Sequence, residues 1–220
     1  MVITKIYTEP AISTKEILRY AGCKDAAEES VQLLLDECLR EVLPKLSYKI
    51  CYVELPLEIR EDVCDMGCMQ VQSKDLARNL QGCESVLLLA ATIGVEIDRL
   101  ITKYGHISPA KAVLLQAIGA ERIESLCDAF DEEWQAAIAQ DGLHTRPRFS
   151  PGYGDLPLEI QKTIFHVLNC SKNIGLSLGD SMLMSPSKSV TAFIGMTKVC
   201  GEMAHGCNNC SKTDCGYRKK

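Results

Sequence analysis

Arg148-Phe149-Ser150-Pro151-Gly152-Tyr153 sets an arginine three residues ahead of a Pro-Gly turn and a tyrosine. The guanidinium of Arg148 can offer a planar fork to a carboxylate. Pro151-Gly152 bends the chain where only backbone atoms approach a ligand, and Tyr153 can stack or hydrogen-bond. Taken alone, the stretch reads sooner as a surface salt bridge followed by a turn, and Arg146 is either a substitute cation or a surface charge. A second chemical cluster closes the chain: Cys200, Cys207, Cys210 and Cys215 crowd four thiols into sixteen residues. His205, Gly201, Gly206 and Gly216 are interleaved with them, and glycines let a loop wrap a tetrahedral ion or a cluster. Thiolates at this density suit zinc or iron–sulfur, although the spacing matches neither standard ferredoxin pattern. The plain alternative is a chain end with free thiols. Cys64 and Cys68 form a single C-x3-C pair, read as structural.

The elements that must hold the arginine loop can be placed from periodicity and capping. Ser13-Thr14-Lys15-Glu16 is a capping box for a helix that Gly22 ends. Glu28 to Leu46 carries Leu35, Cys38, Val42 and other apolar residues on one helical face. Tyr48 to Leu55 alternates like a strand, β structure continues to Val71, and Ser73 caps a helix through Leu80. Val86 to Thr92 is apolar at consecutive positions and predicts a strand buried on both faces. A helix from Val95 to Tyr104 follows. Ser108-Pro109 then opens a long helix to about Ala139, with Leu115, Ile118, Leu126, Phe130 and Trp134 along its apolar stripe. Residues 142–154 form a loop, Leu156-Pro157 opens a helix to about Asn169, and two short strands start at Leu176 and Val190. Ser185-Pro186-Ser187-Lys188 is the turn between them. The strands lie too close together for a βαβ array, so the expectation is an α+β fold with a mostly antiparallel twisted sheet and flanking helices. No Gly-x-Gly-x-x-Gly turn is present, which argues against a Rossmann-type nucleotide site.

Composition restricts the class. The chain has 220 residues, 46% hydrophobic and 24% charged, which is globular material able to bury a core. A net charge of −5 and no basic run beyond Arg218-Lys219-Lys220 argue against nucleic acid. The start lacks the apolar core of a signal peptide, and the run from Val86 to Ala91 is too short to span a bilayer. A cytoplasmic location follows as the expectation, without membrane partners. Twelve cysteines in a reducing compartment read as small core residues or metal ligands. Cys23, Cys38, Cys51, Cys83, Cys127 and Cys170 are read as core fillers.

The arginine loop, followed some thirty residues later by Leu176-Ser-Leu-Gly-Asp-Ser-Met-Leu-Met-Ser-Pro186, resembles the activation domain of vitamin B12-dependent methionine synthase, here as a free-standing protein. That module binds S-adenosylmethionine through an Arg-x-x-Pro-Gly-Tyr stretch and carries a later stretch ending in Met-x-Pro. The resemblance covers about Ser85 to Thr197, and Thr92-Ile-Gly-Val-Glu-Ile-Asp98 matches the family's strand-to-helix turn. It implies that Arg148 takes the ligand's carboxylate, that Ser150 and Gly152 act through backbone atoms, and that Tyr153 completes the clamp. The family's ammonium-binding aspartate has Glu9 as its nearest counterpart. Its ribose-side tyrosine aligns near Ile194, which has no hydroxyl. The implied layout is an activation-type domain over residues 1–199, followed by a cysteine-rich tail over 200–220. Within the domain, an N-terminal region of helices and strands spans residues 1–84, and a motif-bearing region spans 85–199.

The resemblance further implies reductive reactivation of a cob(II)alamin held by a partner, with S-adenosylmethionine as methyl source and a flavodoxin or ferredoxin as electron donor. The chain is then a methyltransferase accessory that acts only with a corrinoid-binding methionine synthase. Alternatives are service to another corrinoid methyltransferase, a non-catalytic S-adenosylmethionine-binding regulator, and a zinc-stabilised interaction module. Zinc or an iron–sulfur cluster at Cys200, Cys207, Cys210 and Cys215 would accompany these roles. No side chain is needed as a catalytic acid or base.

Overall fold

The computed structural model describes residues 1–23 and 28–198. Its central strand is β6 (Ser85–Thr92), in which every side chain from Val86 to Thr92 is buried, as the unbroken apolar run requires. β2 (Lys49–Pro56) and β10 (Ser189–Thr197) flank it, both antiparallel. With β1 (Ile3–Ile6) and β7 (His144–Thr145) at the edges, the sheet order is β1-β2-β6-β10-β7. The mixed helix and antiparallel-sheet architecture is the α+β arrangement expected. The strand read as short and starting at Val190 is a nine-residue core strand beginning at Ser189.

Alternation along these strands sorts the core into two halves. Ile50, Leu87, Leu89, Ala91, Ala192, Ile194 and Met196 face one side. That side is covered by α1 (Thr14–Tyr20), α2 (Glu29–Val42), α4 (Glu96–Ile107) and α5 (Pro109–Ile138). Cys51, Val53, Val86, Leu88, Ala90 and Phe193 face the other. There α3 (Lys74–Asn79), α6 (Ile160–Leu168) and α7 (Cys170–Ile174) pack. A small antiparallel sheet of β3 (Glu58–Arg60), β4 (Val63–Asp65) and β5 (Gln70–Gln72) adds Cys64 and Val71 to that half.

The caps work largely as the residue types dictate. Ser13 Oγ accepts from the Glu16 amide at 3.3 Å, and Ser73 Oγ accepts from the Leu76 amide at 3.1 Å. Ser108 occupies the N-cap of α5 without a side-chain bond, and Pro109 stands in the first turn. The helix foreseen from Leu156 begins at Ile160 and stops at Asn169, whose φ of 46° is left-handed. A second short helix, α7, leaves from that residue. The strand starting near Leu176 is the two-residue β8 (Ser177–Leu178), paired with β9 (Met184–Ser185).

Cys38, Cys51, Cys64, Cys127 and Cys170 are buried as free thiols, which bears out core filling at four of the six positions so read and the structural role of Cys64. Burial pushes the thiols of Cys38 and Cys64 up to about 11, which keeps them protonated. Cys23 and Cys83 are half-buried, and Cys68 is exposed. Cys200, Cys207, Cys210 and Cys215 lie outside the described residues. Among those described, no helix is long and apolar enough to cross a membrane.

Candidate functional site

The thirty residues of α5 make a rod about 45 Å long. One stripe, with Leu115, Ile118, Leu126 and Phe130, is buried against the sheet. Trp134 and Tyr52 close that stripe with Phe130; ring centroids of Tyr52 and Phe130 are 5.1 Å apart. A second stripe carries Glu124, Asp128 and Asp131, spaced four and three residues so that they share one face. This face meets the arginine loop.

The loop is pinned to β10 through its backbone. Phe149 and Phe193 exchange both N–H···O bonds at 2.9 Å, and the Arg146 amide donates to the Gly195 carbonyl at 2.8 Å. Phe149 packs into the second half-core, so its neighbour Arg148 in this extended stretch projects to the opposite side, toward α5. Gln135 fixes the approach, accepting from the Thr145 amide at 2.8 Å and donating to the Leu143 carbonyl at 3.2 Å. On the far side Asp155 accepts from Ser73 Oγ and from the amides of Lys74 (2.8 Å) and Asp75 (3.2 Å). The start of α3 thereby anchors the end of the loop.

Pro151 and Gly152 turn the chain as foreseen, and the turn itself calls for glycine. Gly152 has φ +90°, and a Cβ there would meet Leu158 Cδ1 at 3.5 Å, an ordinary contact. The demand comes from backbone conformation. The Gly152 amide donates to the Leu156 carbonyl (2.9 Å) and the Tyr153 amide to the Ser150 carbonyl (3.0 Å). Two groups stay available at the turn: the Ser150 N–H and the Gly152 carbonyl make no backbone hydrogen bond among the described residues. They form a donor–acceptor pair.

Arg148 does make ion pairs, with three carboxylates. Nη1 donates to Asp131 Oδ2 at 2.6 Å, and Nη2 donates to Asp128 Oδ1 at 2.8 Å and Glu124 Oε2 at 3.1 Å. A guanidinium takes a carboxylate bidentately end-on through Nη1 and Nη2, or side-on through Nε and Nη2. Both forks include Nη2, and both of its hydrogens are in use. The fork expected to be open to a ligand is therefore occupied by the protein's own acids. Nε has no partner among the described residues. Burial raises the Asp131 carboxyl to about 6, partly offset by the Arg148 charge, and its Oδ1 is buried without a hydrogen-bond partner.

Glu124, Asp128, Asp131, Pro147, Arg148, Ser150, Tyr153 and Val190 line a cleft of about 310 Å³. The volume is at the lower end of small-molecule sites. Tyr153 stands at its edge, 58% exposed, with its ring edge-on to Phe149. Arg148, Ser150 and Tyr153 are thus brought together, with Gly152 shaping the turn. Arg146 points elsewhere, donating to the Gln81 carbonyl at 3.2 Å. Ile194 is buried in the core under α5, and Val190 is the β10 residue that reaches the cleft.

Glu9 is not among the cleft residues. It belongs to an N-terminal strap crossing α5, which is held by a buried pair that sequence reasoning missed. Arg122, wholly buried, donates to the carbonyls of Pro10 (2.7 Å) and Ala11 (2.6 Å) and to both oxygens of Glu121. Glu121 accepts from the Ser13 amide at 2.9 Å. Among the described residues no group of three or more His, Cys, Asp or Glu is placed to hold a metal ion.

The turn after the second motif docks on the same helices. The Ser187 amide donates to Asp98 Oδ2 at 2.8 Å, and Lys188 Nζ reaches Gln116 Oε1 at 2.6 Å. The Lys188 stem lies over Gly119, where a Cβ would come within 2.9 Å of it. This contact explains a glycine in the middle of a long helix.

No curated protein matches the chain. Among solved structures, a crystal structure of the MetH reactivation domain bound to AdoHcy superposes with a TM-score of 0.63 at 15% identity. The match covers 89% of this chain and 78% of that one, and at such identity it is a likeness of fold. The family model for the activation domain of vitamin B12 dependent methionine synthase matches residues 77–200, more than half of the sequence. That span holds α5, the arginine loop and the strands β6 and β10. The chain belongs to the family of vitamin B12 dependent methionine synthase activation domains.

Proposed function

We propose that the cleft between α5 and the arginine loop binds S-adenosylmethionine, and that the chain supports reductive methylation of a cob(II)alamin carried by a partner methionine synthase. The observation that carries this reading is the meeting, in one cleft, of an arginine with three carboxylates. The ligand bears one carboxylate and two positive centres, an ammonium and a sulfonium, so the charges are complementary. The solved structure that shares the fold is a reactivation domain bound to AdoHcy, which supports a ligand of this class.

In this reading Arg148 takes the ligand carboxylate, while Glu124 and Asp128 lie where the ligand's positive charge would be met. Glu9, off the cleft wall, contributes only if the N-terminal strap carries it inward. The Ser150 N–H and Gly152 carbonyl suit the adenine edge, which presents one acceptor and one donor side by side. Tyr153 covers the ring from the rim. The sulfonium supplies an activated methyl group to a corrinoid that the partner holds. The chain's residues orient that methyl and shield it from water, a positional contribution. No general base is required of the protein, because the chemistry of methyl acceptance is the cofactor's own. An outside donor such as flavodoxin or ferredoxin supplies the electron. Cys200, Cys207, Cys210 and Cys215 are proposed as one zinc or iron–sulfur site.

The test is transfer of a labelled methyl group from S-adenosylmethionine to a corrinoid methionine synthase poised as cob(II)alamin, with a reductant. Label on cobalt only when this chain is present supports the reading. Ligand binding without transfer to any corrinoid partner would reduce the role to that of a regulator.

A further inference from the structure

The fork of Arg148 is filled before any ligand arrives, and the three acids filling it are not equivalent. Asp131 is the most buried of them (31% exposed) and makes the shortest contact, at 2.6 Å to Nη1. Asp128 and Glu124 share Nη2 at 2.8 and 3.1 Å and are 51% and 40% exposed. Exposed carboxylates return to water at little cost, whereas a half-desolvated one does not. If Asp128 and Glu124 let go while Asp131 keeps Nη1, the side-on fork of Nε and Nη2 opens. That is the geometry a ligand carboxylate needs.

We propose that Glu124 and Asp128 are placeholders that exchange with the ligand's carboxylate on Arg148, and that once released they select a ligand of net positive charge. This rests on the S-adenosylmethionine reading and adds what the site discriminates. Three carboxylates against one guanidinium leave the cleft with an excess of negative charge. A space of about 310 Å³ keeps every bound charge within about one Debye length, ~8 Å at physiological ionic strength. S-adenosylmethionine, with sulfonium, ammonium and carboxylate, is a net cation. After methyl transfer the sulfonium is a neutral thioether and S-adenosylhomocysteine carries no net charge. The methyl donor is then held by an attraction that its spent form lacks. Glu124 and Asp128 can retake Nη2 as the product leaves, so that one set of acids both favours loading and hastens release.

The experiment is calorimetric titration of the full chain with S-adenosylmethionine, S-adenosylhomocysteine and sinefungin, whose amine carries a positive charge without a sulfonium. Wild type, Glu124→Gln and the double variant Glu124→Gln with Asp128→Asn are compared at low and high salt. The wild type should prefer S-adenosylmethionine and sinefungin over S-adenosylhomocysteine by on the order of tenfold, the scale of partly exposed charge pairs. The single variant should reduce that ratio and the double variant bring it near unity, with S-adenosylhomocysteine binding unchanged or tighter because Arg148 is freed. High salt should shrink the wild-type ratio, a reading that needs no variant. All ligands weakening together at a constant ratio, or a salt-insensitive wild-type ratio, would overturn the placeholder role while leaving the site in place. Failure of the wild type to bind any of the three would overturn both this inference and the S-adenosylmethionine reading.

Discussion

Asp131 and Arg148 are joined through one oxygen only: Oδ2 accepts from Nη1 at 2.6 Å, while Oδ1 is buried without a partner. The pair is thus both the firmest anchor of the arginine loop on α5 and an incompletely satisfied one. Its carboxyl is raised to about 6 from 3.8, by burial in the first place. Between these values the folded state binds the proton more tightly than the unfolded state, so stability falls as pH rises through that window. The effect is complete about one pH unit above the folded value. Thermal melts of wild type and Asp131→Asn across about pH 3.5–8 should show the wild type losing ground to the variant between about pH 4 and 7, with a constant difference above. A difference independent of pH would place the Asp131 pKa at its ordinary value.

The Glu121–Arg122 pair makes a different prediction, because both side chains are buried, at 2% and 0% exposure. Arg122→Ala strips the partner from a buried carboxylate and frees the Pro10 and Ala11 carbonyls. Chemical denaturation should show a loss of about 3–5 kcal/mol. Limited proteolysis should cut the 7–13 strap first. A loss under 1 kcal/mol, the scale of exposed pairs, would mean that water replaces the guanidinium there.

Gly152 and Gly154 should fail for different reasons. Gly152 needs φ +90° but has room for a methyl group, so Gly152→Ala should cost about 1–2 kcal/mol, with the folded remainder binding ligand normally. Gly154, at φ +53°, would drive a Cβ into Asp75 on α3, so Gly154→Ala should cost more and also loosen Asp155 from its cap. Thermal melts beside ligand titrations separate the two. Equal losses would mean that Asp75 simply swings aside.

If Cys200, Cys207, Cys210 and Cys215 share a metal, anaerobically purified protein should carry it in stoichiometric amount. Brown colour would mark iron–sulfur and an electron-supplying role; colourless protein with zinc would mark a structural staple. Replacing Cys207 and Cys210 by serine should release the metal and leave ligand binding intact. Metal-free protein with all four thiols alkylated would remove the site.

Much of the scaffold was legible in the sequence because local rules and tertiary demands agree there. Ser13 and Ser73 cap where their types direct, Val86 to Thr92 is as buried as its apolar run demands, and α5 runs from Pro109 nearly to the residue expected. The misses have physical causes. Glu121 and Arg122 carry no local signal of burial because each is hydrophilic alone; only the strap crossing α5 makes their burial tolerable. Asn169 is a residue type that tolerates the left-handed region and so reads as a helix end, but nothing local says that a second helix, α7, leaves directly from it. Glu124, Asp128 and Asp131 sit at a helical spacing visible in the sequence, but nothing local says that an arginine from a distant loop will land on them. The loop itself was legible, whereas the occupancy of its fork was not.

The most direct measurement is calorimetric titration of S-adenosylmethionine into the wild-type chain and into Arg148→Ala. The account predicts one site per chain in the wild type, weakened by about 1.5–3 kcal/mol in the variant, the worth of a charge-assisted hydrogen bond. Arg148→Lys should recover only a fraction of that loss, because it restores the charge without the fork. Undiminished binding in Arg148→Ala, or no binding in the wild type, would contradict the placement of the ligand in this cleft.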